Sequence, residues 1–390
     1  MPKLDAIEWE KLAHAYGTAE DVPKWLDQLR TATTDDVAEE AMEYLFGVLW
    51  HQYTVYGATA AATPFLVEAL NYCRPIIRSD LLRLLDLIAD GMSYLDQHEG
   101  LLLAFESEAV NSEEYQVQKQ RELCWVADCV RSVWTGLDCY VDLLDDPSLQ
   151  MRINVSHLLA TLLSKDKACR PTHLEDVDRK VSNLLKDSLS ADSESLVQCS
   201  YVFALTSIPA RKQDNVLFLE QLMKDMTDPR LKISIALATR LLEQMDGAVE
   251  VLIDALTRSA ETDRLYKSDL EWPWFDRWLR FQLVGCLCAL PQERLGQLMP
   301  ALLATIDRAS DMTANEDLAP ILRYAFQGQK VNPEMGIQQL SKPQNLLLQR
   351  IYDNEKLLTG KSGNAELVFS KIGLSARRDG WKDLLGFEQT

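Results

Sequence analysis

A helical pattern that recurs at intervals of about 40 residues constrains this chain more than any other feature. Four segments superpose without gaps when counting starts at Asp146, Asp192, Asp228 and Trp274. Five, six, nine, ten, twelve and thirteen places on stand Met151, Arg152, Val155, Ser156, Leu158 and Leu159 in the first. The others give Val197, Gln198, Tyr201, Val202, Ala204, Leu205; Ile233, Ser234, Leu237, Ala238, Arg240, Leu241; and Leu279, Arg280, Leu283, Val284, Cys286, Leu287. The starts are 46, 36 and 46 residues apart, around the roughly 40 to 47 of repeats built from paired helices. Apolar residues at these offsets share one helix face, so the expected fold is all-α, an α-solenoid.

The phase reaches further back. From Asp36 the same offsets give Ala41, Leu45, Phe46, Val48 and Leu49, and from Tyr72 they give Ile77, Arg78, Leu81, Leu82, Leu84 and Leu85. Six repeat helices are thus readable. Between Gly91 and Glu122 the phase is lost in an acidic stretch with Glu106, Glu108, Glu113 and Glu114. That stretch is read as a long connection or an elongated helix pair, with the apolar face resuming at Leu123, Val126, Ala127, Val130 and Trp134. Ile7 to Leu29 is read as two short helices broken at Tyr16-Gly17, with Thr18 and Asp21 as a capping-box-like start. Pro64 should kink its helix or mark a first turn. Two or three helices are expected beyond Pro291, then a shorter, more basic tail with Ile372-Gly373-Leu374, Arg377, Arg378 and Trp381 to Phe387.

Repeats stack into one continuous body, so one unit over 1–390 is expected despite a length that could make two ordinary domains. Within it, 1–90 reads as N-terminal repeats, 91–135 as an irregular acidic insertion with a long helix, 136–340 as central repeats and 341–390 as a C-terminal cap. The apolar fraction of 47%, led by Leu over Val and Ile, supplies a core and favours helix over strand.

The start, with Asp5, Glu8 and Glu10, lacks the basic flank and apolar run of a signal peptide. No uncharged apolar run nears about 18 residues, so no spanning helix is expected. The 8 cysteines lie in helical patterns without a C-x-x-C pair or His at zinc spacing, and read as reduced core residues of a cytosolic protein. The net charge of −19 repels nucleic acid and anionic membranes and would speed encounter with a basic protein, though acidity also serves solubility alone.

Local motifs give little chemistry. Thr359-Gly360-Lys361-Ser362 lacks the earlier Gly of a phosphate loop, since Glu355 stands there. His98-Glu99 has Leu102 where a zinc motif needs its second His, and no G-x-S-x-G elbow is present. No catalytic residue, metal site or cofactor is expected. Trp272, Trp274, Phe275 and Trp278 are the most unusual composition, with Trp274 and Trp278 on one face at helical spacing. Packing between repeats is the stronger reading, and an exposed binding hot spot the sharper one. His51, Tyr53 and Tyr56 could line a pocket, but a capped turn with satisfied polar tips is the default.

The chain resembles bacterial HEAT-repeat proteins in His14-Ala15-Tyr16-Gly17 with Asp21-Val22-Pro23. It is similar to them also in His51-Gln52-x-Thr54-Val55-Tyr56 with Ala58-Thr59 leading to Pro64-Phe65-Leu66, and in Trp272-Pro273-Trp274-Phe275-Asp276 with Leu279-Arg280-Phe281. The resemblance implies a fold whose second helices line a concave face, and little chemistry. It also implies a candidate role, because HEAT-like proteins occur among immunity partners of bacterial toxins. Positions four, eight and eleven after each start should then face solvent on the inner surface. They are Gln150, Asn154, His157; Leu196, Ser200, Phe203; Lys232, Ala236, Thr239; and Trp278, Gln282, Gly285. Candidate partner-binding residues are Asn154, His157, Phe203, Trp274, Trp278 and Gln282. The expected function is binding of a basic protein partner, in one version a toxin, with neither nucleic acid nor membrane. The alternative is a groove enzyme of DNA glycosylase or bilin lyase type.

Overall fold

The computed structural model describes residues 3–105, 110, 112–165, 167–171, 176–239, 246–275, 278–358, 360 and 363–385. Helix makes up 75% of the structure, and sheet among the described residues is confined to two small antiparallel hairpins, so the class is all-α. The chain divides into two units, Met1–Phe218 and Leu219–Thr390.

The first unit contains α1 (Val22–Thr31), α2 (Asp35–Leu49), α3 (Gly57–Ala69), α4 (Pro75–Asp90), α5 (Tyr94–Phe105), α6 (Glu113–Trp134), α7 (Leu137–Asp142), α8 (Leu149–Ser164), α9 (Val177–Ala191) and α10 (Ser195–Thr206). Starts are set by local chemistry. The hydroxyls of Thr34, Ser112 and Ser148 accept from the backbone N–H three residues on, satisfying donors that the first turn leaves open. Pro75 occupies the first position of α4, where no N–H is needed. Successive contacts run α2 to α4, α4 to α8 and α8 to α10, while α1 packs on α2, α3 on α6 and α9 on α10. Buried Ser156 and Ser200 bring their hydroxyls to 2.6 Å, so small polar residues let α8 and α10 approach closely.

The second unit begins within α11 (Lys212–Asp225) and holds its second half, then α12 (Pro229–Thr239), α13 (Asp246–Thr257), α14 (Ser259–Leu265), α15 (Leu279–Leu287), α16 (Leu295–Arg308), α17 (Ala314–Asp317), α18 (Ala319–Phe326), α19 (Lys342–Asp353), α20 (Asn364–Ser370) and α21 (Arg378–Leu385). Here α13 packs on α12 and α16, α16 on α19, and α15 on α13 and α14. The repeat offsets fall where expected: Val155, Leu158, Leu159, Val197, Tyr201, Leu205, Ile233, Leu283, Val284 and Leu287 are all buried. Arg240, Leu241 and Asp276 of the pattern, Glu106 and Glu108 of the acidic stretch, Phe387 of the tail, and Thr359, Lys361 and Ser362 lie outside the described residues.

Several expectations change. Ile7 to Leu29 is not two helices: short 3-10 turns precede a hairpin pairing Ala13-His14 with Gly17-Thr18, and only α1 follows. The hairpin is pinned where Ala15 N–H donates to Val48 O, 3.1 Å. Thr18 therefore caps nothing, and Asp21 receives Tyr44 Oη and faces His14 Nε2 at 3.4 Å instead. Pro64 is mid-helix in α3, not in a first turn. Gly91 to Glu122 contains α5 and the first half of α6, the helix-pair reading. The buried face of α6 runs through Glu122, Cys129, Val130, Val133 and Trp134 with Leu123 exposed, because the Glu122 carboxylate caps Leu95 N–H at 2.9 Å. More helices follow Pro291 than expected. Cys124 is exposed, so not every thiol is a core residue.

Candidate functional site

Helix α8 is apolar on most of its circumference and is covered by neighbours on both sides. The face assigned to solvent is therefore largely internal. Asn154 is 6% exposed, donates to Ser79 Oγ of α4 at 3.0 Å and accepts from Gln150 at 2.8 Å. His157 keeps only part of its ring in water, with Nδ1 2.7 Å from Asp86 Oδ2. Thr161 donates to the other Asp86 oxygen at 2.7 Å. Burial pulls the His157 pKa down, but the Asp86 charge and hydrogen bond, with Asp90 beyond, outweigh it and leave it raised. Ser200, Ala236 and Thr239 are buried and Phe203 is half-buried. As solvent-facing positions Asn154, Ser200, Ala236 and Thr239 are thus corrected. The cause is tertiary: α4 covers this face of α8 through residues 71 to 75 positions earlier in the chain.

The second unit places Trp278, Gln282 and Gly285 in solvent as expected. Trp278 is 44% exposed and caps the start of α15, and Trp274 lies in the preceding bend, half-buried. The two therefore do not share a helix face. Around Trp278 opens a cleft of about 600 Å³. Its walls are Tyr266, Trp272 and Phe275, whose centroids lie 5.7 to 6.0 Å apart, all edge to face. The Tyr266 hydroxyl donates to Arg230 O at 2.8 Å and is 2.7 Å from Ser234 Oγ, fixing the ring against α12.

Asp263 and Arg308 line the cleft and belong to a charge cluster that joins four helices and is buried except at Arg308. Arg280 of α15 reaches Asp317 of α17 at 3.1 and 3.4 Å and Asp263 of α14 at 3.4 Å. Arg308 of α16 closes the set on Asp263 at 3.2 Å. Buried Arg280, Asp263 and Asp317 are balanced by half-buried Arg308, which is what makes such burial tolerable. The Arg280 guanidinium also lies 4.2 Å from the Trp278 ring centroid and 4.6 Å from that of Phe281, so the exposed indole rests on a fixed cation. At the rim, exposed Arg264 and Lys267 make no ion pair among the described residues. The cleft thus offers π faces and positive charge, local features opposite in sign to the net charge of −19. Sequence reasoning found the tryptophans but missed the cleft, because Asp263, Arg280, Arg308 and Asp317 become neighbours only through tertiary packing.

A second surface was also missed. The hairpin pairing Trp50-His51 with Thr54-Val55 projects Tyr53, 58% exposed, beside Met92, and Tyr16 of the first hairpin, 68% exposed, reaches His51 Nδ1 through its hydroxyl at 3.2 Å. Tyr53 is displayed at the turn, while half-buried Tyr56 heads α3 with its hydroxyl 2.8 Å from Thr54 Oγ1, the arrangement of a capped turn with satisfied polar tips.

No family model matches the chain, and no curated protein does. Among solved structures, the crystal structure of an engineered protein is similar over 93% of this chain and 98% of that one, at 15% identity and a TM-score of 0.30, a likeness too low to carry an argument.

Proposed function

We propose that this chain is a protein-binding protein of HEAT-like α-solenoid type, whose partner is more basic than itself. The observation that carries the reading is Trp278: a large ring, 44% exposed, held on Arg280 at the mouth of an aromatic cleft. A rigid, exposed Trp over a well-packed pocket has the character of an interface hot spot. The sequential contacts α2–α4–α8–α10 and α12–α13–α16–α19 support the solenoid reading, since each helix row contacts chiefly its neighbours. Long-range attraction comes from the net charge, whereas the rim cations Arg264 and Lys267 select a neutral or acidic anchor group from the same partner.

In the narrower version the partner is a bacterial toxin and the chain its immunity protein. The test is affinity capture from the native lysate with wild type and Trp278→Ala. A basic protein retained by wild type and weakened on the variant is expected, and co-expression should protect cells from a toxin encoded nearby. Recovery of nucleic acid or a small metabolite alone would overturn the reading. The cleft itself favours one second reading, a groove enzyme on a helical-repeat scaffold, because about 600 Å³ is of a size that takes a small molecule. That outcome would make it the better account.

A further inference from the structure

The turn His51-Gln52-Tyr53-Thr54 is built against backbone preference. Gln52 and Tyr53 have φ of 49° and 68°, successive left-handed residues where a two-residue hairpin ordinarily uses Asn-Gly. The surroundings enforce it. Met92 N–H donates to Tyr53 O at 2.8 Å, Val55 N–H donates to Met92 O at 3.1 Å, and the Thr54 hydroxyl donates to His51 O at 2.6 Å. The strand-like segment at Met92 can lie this close because residue 91 is glycine, where a Cβ would stand 2.4 Å from Val55 Cγ1. What this arrangement accomplishes is display: Tyr53 and Tyr94 are 58% and 46% exposed, and Tyr16 is 68% exposed beside His51. Trp50 meets Tyr53 edge to face at 5.6 Å, and Tyr94 stacks on His98 at 4.2 Å, so the rings are braced. The Tyr16–His51 contact, the pairing of Thr54 with Met92 and the packing of α5 on the Thr54-Val55 strand bring both hairpins and α5 into one neighbourhood.

We infer that this tyrosine surface binds an arginine-bearing segment of a basic protein. Tyrosine supplies broad, low-entropy contact area and π faces on which guanidinium groups stack. The charge is complementary: residues 1–105 hold 7 Lys and Arg against 17 Asp and Glu, a balance of −10, and no Lys or Arg occurs from 31 to 73 or from 84 to 118. The Tyr53 hairpin and α5 therefore bring no cation of their own, and Lys119 of α6, which reaches α5, is paired there with Asp96 and Glu99. This rests on the protein-partner reading and names a surface for it distinct from the Trp278 cleft.

The experiment is fluorescence anisotropy of labelled nona-arginine with wild type, Tyr53→Ala/Tyr94→Ala and Trp278→Ala, with circular dichroism confirming that each is folded. Removing two rings should weaken binding about tenfold, the scale of two exposed cation–π contacts, while Trp278→Ala binds as wild type does. Tyr53→Phe, which keeps the ring, should retain the affinity. Equal affinity of wild type and the double alanine variant would overturn the proposal, because the acidic field alone would then hold the peptide. Tyrosine-dependent self-association in sedimentation would also overturn it, in favour of a second copy as occupant. Neither result touches the wider reading, which is tested by capture with Trp278→Ala.

Discussion

Arg280 and Asp317 form an ion pair inside the second unit, with the Arg280 Nε 3.1 Å from Asp317 Oδ1 and the Asp317 side chain fully buried. Asp317 sits at the end of a four-residue helix, so its position is set by this pair as much as by local structure. Burial pushes its carboxyl pKa up even beside Arg280, the mark of a charge kept in the interior at a cost in hydration.

Breaking that pair should be costly. Asp317→Ala leaves Arg280 short of a partner in the core and should destabilise the second unit by about 3 to 5 kcal/mol, read by urea unfolding. Replacing both partners together, Arg280→Met with Asp317→Leu, should cost much less than the single change. A double variant as unstable as Asp317→Ala would show that the loss comes from packing rather than from an orphaned charge.

The His157–Asp86 pair makes stability depend on pH with a defined sign. Because the folded-state pKa of His157 is raised, its contribution is complete below the unfolded value of about 6.5 and is lost as pH rises through the folded value. The stability difference between wild type and His157→Gln should therefore be larger at pH below about 6 than above about 8. A difference that grows with pH would mean that His157 is held neutral.

All 8 cysteines should titrate as free thiols in denaturant without reductant. In the native state Cys124, exposed on α6, should react first. Cys129 and Cys288 should be slow, since burial raises both to about 12 and leaves little thiolate near neutral pH. Fewer than eight groups in protein protected from oxidation would contradict this.

The tail packs into the second unit: Trp381 is 1% exposed against Phe369, and Val331 N–H donates to Ile372 O at 2.7 Å. Deleting Ile372 onward should uncover that apolar surface and drive aggregation on size exclusion. An equally stable monomer would show that the tail protects nothing.

Much of the helical fold was legible because one physical signal is local. Leu158, Leu159, Val202, Leu205, Leu283 and Leu287 recur at fixed offsets, and each is buried. The hairpins were not legible, since two-residue strands carry no alternation and the Gln52-Tyr53 turn lacks the glycine that marks such turns. The solvent face of α8 was misjudged for a different reason. Asn154 has the polarity of a surface residue, and only the arrival of Ser79 from α4 turns it into a core hydrogen-bond partner. The repeat phase puts Trp278 in solvent, where it lies, although packing between repeats is the stronger reading of the aromatic group from composition; its support by Arg280 and the walls from Tyr266 to Phe275 depend on helices that sequence spacing cannot bring together.

Capture of a more basic protein partner by an acidic helical protein is tested by binding kinetics at low and high salt. Electrostatic steering acts on encounter, so salt should lower the association rate more than it raises the dissociation rate. Trp278→Ala should do the reverse, speeding dissociation with little change in association. Association independent of salt, or a bound species that is nucleic acid or a small metabolite and not a protein, would contradict the account.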